Sequence, residues 1–314
     1  MIEGIPRISV RIITYKQEEL IKRAINSLLA QKDYIYEICV SDDCSPDGTW
    51  EVLQQYAKDY PGLFKLNRNE KNLGIFENIE FSWTMPTGDL VYGLAGDDEA
   101  GEGWFKTVIE FIQNNHIDYK SELFCIYGDY EGRAPDGRIG IHRNNMAISL
   151  ANQFSLSLRG IVGNRSACYS INILKKFFKV SKGKSHVAES AIDRQLQLFT
   201  EKNYYIPKIG NIYYAGIGVS KNIFNEQTYL ERKQINPYMI EQFEKYGYRP
   251  TKSDLRYIAY DKAFLDFMMK KSFVNACKLF LRWLMAFDPQ IGAKSLNPDF
   301  MFHYIKRVFV KILS

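Results

Sequence analysis

The chain has 314 residues, 46% hydrophobic and 25% charged, a globular composition with ample apolar material for a core. A net charge of +5 is too mild to point to a nucleic-acid partner, and five scattered cysteines without a CxxC pair read as reduced structural thiols rather than a zinc site. The first residues lack a signal-peptide pattern and no apolar run approaches the roughly 18 residues needed to span a bilayer, so a cytoplasmic protein, soluble or peripheral, is expected.

Ile8 to Ile13 is a β-branched run that predicts a first strand, ending at Thr14-Tyr15. Leu20, Ile21, Ala24, Ile25, Leu28 and Leu29 then recur at helical spacing and predict an amphipathic helix. Tyr36 to Val40 predicts a second strand. It runs into the turn-rich Ser41-Asp42-Asp43-Cys44-Ser45-Pro46-Asp47-Gly48-Thr49, followed by a helix with Trp50, Leu53 and Ala57 inward. Leu63 to Leu66 predicts a third strand, Asn69 to Gly74 a turn, and a helix continues through Ile79. The fourth strand is Leu90 to Glu99, an apolar run whose tip carries Asp97 and Asp98.

Alternating strands and helices imply an α/β domain, a mostly parallel sheet with helices on both faces. Ligands of open α/β sheets sit beyond the carboxyl ends of the strands, which gathers Thr14, Tyr15, Asp42, Asp43, Asn72, Asp97 and Asp98 on one rim. No GxGxxG follows the first strand, so a dinucleotide site is not expected. Asp97 and Asp98 repel each other and need a cation or donors nearby. Paired oxygen ligands suit Mg²⁺ or Mn²⁺; the same residues also suit a turn that caps the next helix.

In order along the chain, Ile12-Ile13-Thr14-Tyr15-Lys16, Asp42-Asp43-Cys44-Ser45-Pro46-Asp47-Gly48-Thr49, Asn72-Leu73-Gly74, Thr87-Gly88-Asp89 and Ala95-Gly96-Asp97-Asp98 resemble the motifs of glycosyltransferase family 2, nucleotide-diphospho-sugar transferases with the GT-A fold. The resemblance implies that Thr14 and Tyr15 line the nucleotide pocket, with Asn72 and Gly74 on the same rim. It implies that Asp43, with Asp42 beside it, accepts a hydrogen bond from the base, as in uracil recognition. Asp97 would face the ribose or diphosphate, and Asp98 would ligate Mn²⁺ or Mg²⁺. Ala95 stands where many members have a further Asp, which leaves fewer carboxylates for the ion.

Gly103-Trp104-Phe105 begins a helix through Asn114, Phe124 to Tyr127 predicts a strand, and Ala134 to Arg138 a hairpin tip. Residues 142–165, with Arg143, Arg159, Gly160, Gly163, Asn164 and Arg165, lack a clear period and correspond to the family's acceptor-shaping region. Ala188, Ile192, Leu196 and Phe199 recur at helical spacing; Glu189 and Asp193 share a face of that helix. By resemblance Asp193 is the candidate general base of an inverting transfer, Glu189 its rival, and a plain pair of first-turn carboxylates the structural alternative. Around Tyr213 to Lys221 the Arg and His that many members carry are missing, and Lys221 is either a substitute or a surface lysine.

From about Asn225 the pattern becomes helical: Tyr229 to Tyr246, Leu255 to Lys271, Phe273 to Phe287 and Phe300 to Leu313, with breaks expected at Pro237, Pro250, Pro289 and Pro298. Residues 225–314 carry 15 Lys and Arg against 9 Asp and Glu. The last segment suits an interfacial helix on a membrane, or helices packing on the catalytic part or on another subunit of a homo-oligomer. The expected division is 1–224, a GT-A catalytic domain with a nucleotide half (1–100) and an acceptor half (101–224), and 225–314, a basic helical region. The expected partners are a nucleotide-sugar donor, UDP-sugar favoured, and a saccharide or lipid-linked acceptor of surface polysaccharide synthesis. A sugar nucleotidyltransferase and a non-enzymatic membrane-associated assembly protein are the rival readings.

Overall fold

The computed structural model describes residues 4–143, 167–177, 188–217 and 226–286, without the side chains of 188–191, 193, 226–229 and 231–236. Five strands and four helices build the first half: β1 (Ile8–Thr14), α1 (Glu18–Leu29), β2 (Glu37–Asp42), α2 (Thr49–Asp59), β3 (Phe64–Arg68), α3 (Ile75–Ser82), β4 (Leu90–Ala95), β5 (Glu99–Ala100) and α4 (Trp104–Asn114). The rest comprises β6 (Phe124–Arg133), β7 (Ile139–His142), β8 (Cys168–Ser170), α5 (Ile171–Leu174), α6 (Ala188–Phe199), β9 (Lys202–Tyr214), α7 (Glu226–Lys245), α8 (Lys252–Met269) and α9 (Phe273–Ala286).

All nine strands among the described residues join one sheet in the order β3-β2-β1-β4-β8-β6-β9-β5, with β7 on β6. The pairs β3-β2, β2-β1 and β1-β4 are parallel, as the alternating sequence predicts. Beyond β4 the sheet is mixed: β8 runs antiparallel to both β4 and β6, β6 and β9 are parallel, and β5 is antiparallel to β9. The chain therefore leaves β4 at the middle of the sheet and rejoins it at the far edge as β5. Asp97 and Asp98 lie on that crossing.

Two apolar layers hold the sheet. Ile8, Val10 and Ile12 of β1, with Leu90, Tyr92 and Leu94 of β4, pack against Ile21, Ile25 and Leu28 of α1, Leu53 of α2 and Trp104 and Phe105 of α4. On the other face Cys125 and Tyr127 of β6 meet Phe76 and Ile79 of α3, Ile192, Leu196 and Phe199 of α6, and Met239 and Phe243 of α7. The period-two alternation along β6 is what sends Phe124 and Ile126 to one layer and Cys125 and Tyr127 to the other. Burial of the thiols pushes Cys39 and Cys168 up to about 12, the behaviour of inert core cysteines.

Three expectations need correction. Pro237 does not separate helices; it lies inside α7, which continues because Met239 and Phe243 beyond it are wholly buried. The strand expected over Phe124 to Tyr127 extends to Arg133, paired on its two sides by β7 and β9. The fourth strand, expected over Leu90 to Glu99, ends at Ala95, because the chain turns through Gly96 to Asp98 and Glu99 pairs with β9 as β5; β9, which no expectation named, ends at Tyr214 in the site below. The helix expected over Phe300 to Leu313, with Lys221 and Arg159, Gly160, Gly163, Asn164 and Arg165, lies outside the described residues.

Candidate active site

The carboxyl ends of β1, β2 and β4 meet at one rim, knitted by backbone bonds beyond the ladder. Asp43 N–H donates to Thr14 O (3.0 Å), Gly96 N–H to Ile13 O (3.2 Å), and Asn69 N–H to Asp42 O (2.9 Å). The turns leaving β1 and β2 place Lys16 and Cys44 at φ 54° and 58°, a left-handed conformation that costs a non-glycine residue roughly 1 kcal/mol or more. Lys16 N–H donating to Ser45 Oγ (3.0 Å) locks the two turns together. Backbone strain of this kind concentrates at functional sites.

Thr14 is buried and donates its hydroxyl to Gln17 Oε1 (2.8 Å), while Tyr15 beside it is 39% exposed. Gly96 is required by that arrangement: a Cβ there would lie 2.3 Å from Gln17 Oε1 and 3.1 Å from Ile13 O. Asn72 is exposed, and Gly74 opens α3 at φ 89°.

Asp42 and Asp43 are not open acceptors. Asp42 is wholly buried; it accepts from the Ser45 N–H (3.1 Å) and the Ser45 hydroxyl, with Arg68 Nε 3.5 Å away. Burial pushes the Asp42 carboxyl above its ordinary range, against the opposing pull of Ser45 and Arg68. Asp43, 2% exposed, takes Asn69 Nδ2 (2.8 Å) and Leu73 N (2.9 Å) on Oδ1 and Gly74 N (2.9 Å) on Oδ2. The carboxylate expected to meet a base instead holds the loop that carries Asn72 and the start of α3.

Asp97 is half-buried, whereas Asp98 is 4% exposed and accepts the Tyr214 N–H on Oδ1 (3.1 Å). Around them lies a cluster that no sequence motif signals. The Arg23 guanidinium donates to the Asp97 carbonyl, lies 3.5 Å from the centroid of the Tyr214 ring and has Nε 3.6 Å from Glu99. Tyr214 donates its hydroxyl to Glu99 and accepts from Arg133 Nη1 (2.7 Å). Arg133 Nε also pairs with Glu131 (2.7 Å). Burial, then the bond to Glu99, raises the Tyr214 phenol, so it stays protonated and able to donate. Helix α1, strand β6 and the end of β9 thus clamp Asp97-Asp98-Glu99 from residues up to about 190 positions apart, a separation at which local pattern is silent.

Among the described residues no cluster of three His, Cys, Asp or Glu side chains could hold an ion by itself. A hard divalent ion that keeps waters and shares substrate phosphates needs one or two carboxylates, and the adjacent Asp97 and Asp98 fit that donor set. The remaining candidates, Glu189 and Asp193, are on α6, which packs Ile192, Leu196 and Phe199 against Phe76 and Ile79 of α3. Their side chains lie outside the described residues.

One sheet, parallel from β3 to β4 with its rim at β1, β2 and β4, mixed beyond β4 and flanked by C-terminal helices, is the architecture of a GT-A glycosyltransferase. The family model "Glycosyl transferase family 2" matches residues 9–171, more than half of the chain, and the chain belongs to that family. A relative from Campylobacter jejuni, GalNAc(5)-diNAcBac-PP-undecaprenol beta-1,3-glucosyltransferase, is 26% identical over 78% of this chain and 79% of its own. The putative glycosyltransferase EpsE of Bacillus subtilis is 32% identical over 35% of this chain and 40% of its own. The first curated relatives are matched over only 26% to 40% of their length. Among solved structures, S. aureus TarS 1–349 in complex with UDP-GlcNAc superposes with a TM-score of 0.62 at 16% identity, over 96% of this chain and 88% of that one. The Pyrobaculum calidifontis mannosyltransferase PcManGT, solved with GDP-Man and Mn²⁺, gives 0.56 at 14%, over 99% and 88%. At these identities the structures establish the shared fold. No described helix is long and apolar enough to cross a membrane.

Proposed function

We propose that the protein is an inverting glycosyltransferase that moves a sugar from a nucleotide-diphosphate donor, UDP-sugar favoured, to a hydroxyl of a saccharide or lipid-linked saccharide in surface polysaccharide synthesis. The observation that carries the reading is the rim at β1, β2 and β4, where an acidic pair sits beside an ordered, strained pocket wall. The relatives support its direction, since the Campylobacter protein is named for a lipid-linked acceptor and TarS was solved with UDP-GlcNAc.

In this reading Thr14, Tyr15, Asn72 and Gly74 line the nucleotide pocket, and Asp42 and Asp43 fix its walls. The half-buried Asp97 is the carboxylate most open to a bound group, and Asp98, anchored by Tyr214, completes the pair; the exposure difference favours sharing the cation role that the sequence assigned to Asp98 alone. Mn²⁺ or Mg²⁺ bound there supplies positive charge to a leaving diphosphate. Asp193 takes the proton from the acceptor hydroxyl, a contribution of about 10²–10⁴-fold, with Glu189 the substitute candidate. Residues 1–224 form the catalytic unit and 225–314 an appended helical region, although Met239 and Phe243 of α7 already belong to the second apolar layer.

Incubation with nucleotide sugars and Mn²⁺, with free nucleoside diphosphate as readout, tests the proposal. Release lost in Asp97→Ala and Asp193→Ala is the expected result. Pyrophosphate as product would favour a nucleotidyltransferase, and no turnover with any donor and acceptor extract would overturn the reading.

A further inference from the structure

The C-terminal helix α9 carries an apolar surface that the catalytic reading does not use. Ala276, Leu279 and Ala286 are buried and Trp283 is half-buried, and this side of the helix packs on α8. The other side is apolar too. Val274 is 59% exposed, Leu281 59%, Leu284 50% and Met285 54%, and Phe280 and Cys277 lie between them. At 100° per residue, positions 274, 277, 280, 281, 284 and 285 form one continuous arc of about 140°. Lys278 and Arg282, both exposed and four residues apart, border one edge of that arc, and α9 contains no Asp or Glu.

A helix with a wide outward apolar arc, a cationic border and no acidic residue has the pattern of one lying in the plane of a lipid interface. We infer that α9 is a docking surface for an anionic membrane, with its apolar arc in the acyl boundary and Lys278 and Arg282 at the phosphate level. The charge distribution favours this occupant over a second copy. An antiparallel pairing of two α9 helices brings both basic edges to the same side, where neither helix supplies a carboxylate to offset them. Packing on α8 holds the helix on the protein body, so the arc is presented as a fixed face. The inference concerns described residues and is separate from the catalytic proposal, because it predicts lipid binding whether or not sugar is transferred.

The test is vesicle flotation of the full chain, with vesicles of phosphatidylcholine alone and of equal parts phosphatidylcholine and phosphatidylglycerol. Binding is expected on the anionic vesicles, to fall with added salt, and to be weak on the neutral ones. Lys278→Gln with Arg282→Gln should weaken binding about 30-fold, taking about 1 kcal/mol per basic residue at the surface. Leu281→Asp with Leu284→Asp should weaken it by at least about 100-fold from lost apolar burial. These side chains face outward, and an unchanged unfolding midpoint confirms that each variant is folded. Equal flotation of the parent and the Leu281→Asp, Leu284→Asp variant overturns the inference. So does a parent that floats with neither vesicle, whether light scattering shows a monomer or a dimer that this variant abolishes.

Discussion

Tyr214→Phe and Tyr214→Ala separate what holds the acidic pair in place. The backbone N–H of Tyr214 bonds Asp98 in any variant, whereas the ring and hydroxyl bind Arg23, Glu99 and Arg133. Phe removes two hydrogen bonds to charged groups, each worth about 1.5–3 kcal/mol when buried. The site is half-buried and Glu99 keeps Arg23 and Arg133 nearby, at 3.6 and 3.9 Å, so we expect a smaller loss of about 1–2 kcal/mol in denaturant unfolding. Ala also removes the Arg23 cation–π contact, a further ~1 kcal/mol, and releases the Asp97 carbonyl from its fixed donor. Calorimetric titration with UDP and Mn²⁺ then reads the site itself. Tyr214→Ala should weaken ternary binding about tenfold or more, with Tyr214→Phe between it and the parent. A folded Tyr214→Ala protein with parental affinity would refute the clamp, because the backbone bond alone would then position Asp98.

Asp43→Asn keeps the shape but points an amide at N–H donors that now share two carboxylate oxygens. We expect about 2–4 kcal/mol of destabilisation and faster hydrogen exchange over residues 70–76. Gly101→Ala should be among the most damaging small substitutions, at roughly 3 kcal/mol or more, since a Cβ there would lie 2.0 Å from the Ile209 carbonyl oxygen, a backbone atom that cannot move aside. Gly96→Ala meets the flexible end of Gln17 instead, so its thermal unfolding should change less while nucleotide binding suffers. Burial pushes the Glu37 carboxyl up, but bonds from the Ser9 hydroxyl (2.7 Å) and from Thr87 outweigh it and hold the group below its ordinary value. A depressed carboxyl stabilises the fold above its unfolded pKa of about 4.3 and loses that contribution as pH falls through the folded value. Unfolding curves taken downward from pH 5 should steepen in the parent and flatten in Glu37→Gln.

The elements of residues 8–95 were legible because their information is local. The strands of residues 8–95 carry their apolar signal within a few residues, as with Ile12-Ile13 in β1, Ile38 to Val40 in β2 and Leu90 to Tyr92 in β4, and each helix shows its buried stripe within a dozen residues, as with Ile21, Ala24, Ile25 and Leu28. The later strands follow another logic. Residues 128–133, Gly-Asp-Tyr-Glu-Gly-Arg, carry no apolar run, yet they are strand because β7 and β9 flank them, and Gly128 lets the Lys208 carbonyl and the Trp104 ring approach where a Cβ would lie 2.4 and 2.8 Å away. Pro207 and Gly210 break the apolar pattern along β9, which is nevertheless one strand, and β8 is three residues long, below any usable period. Pro237 was expected to end a helix, and burial of Met239 and Phe243 outweighs its cost of about 3 kcal/mol. For the rim, motif spacing named the residues, but only their partners reveal which carboxylates are bound to the protein itself.

That distinction bears on how an acidic rim could accept a diphosphate. Four open carboxylates at Asp42, Asp43, Asp97 and Asp98 would present a field that repels an anion. The structure commits much of this charge internally. Asp42 is matched by Ser45 and Arg68, Asp43 by three N–H donors, and Asp98 by the Tyr214 N–H. Next to them Arg23 and Arg133 face Glu99, so the neighbourhood of the pair holds two fixed cations. Asp97 is half-buried, the most exposed of the four. A divalent ion there would have Asp97 and Asp98 as its carboxylates and few other protein ligands, which would make its affinity depend on oxygens brought by the donor. Metal titration without UDP should therefore show much weaker binding than titration with it, and equal affinity in both would mean that the protein supplies the site alone.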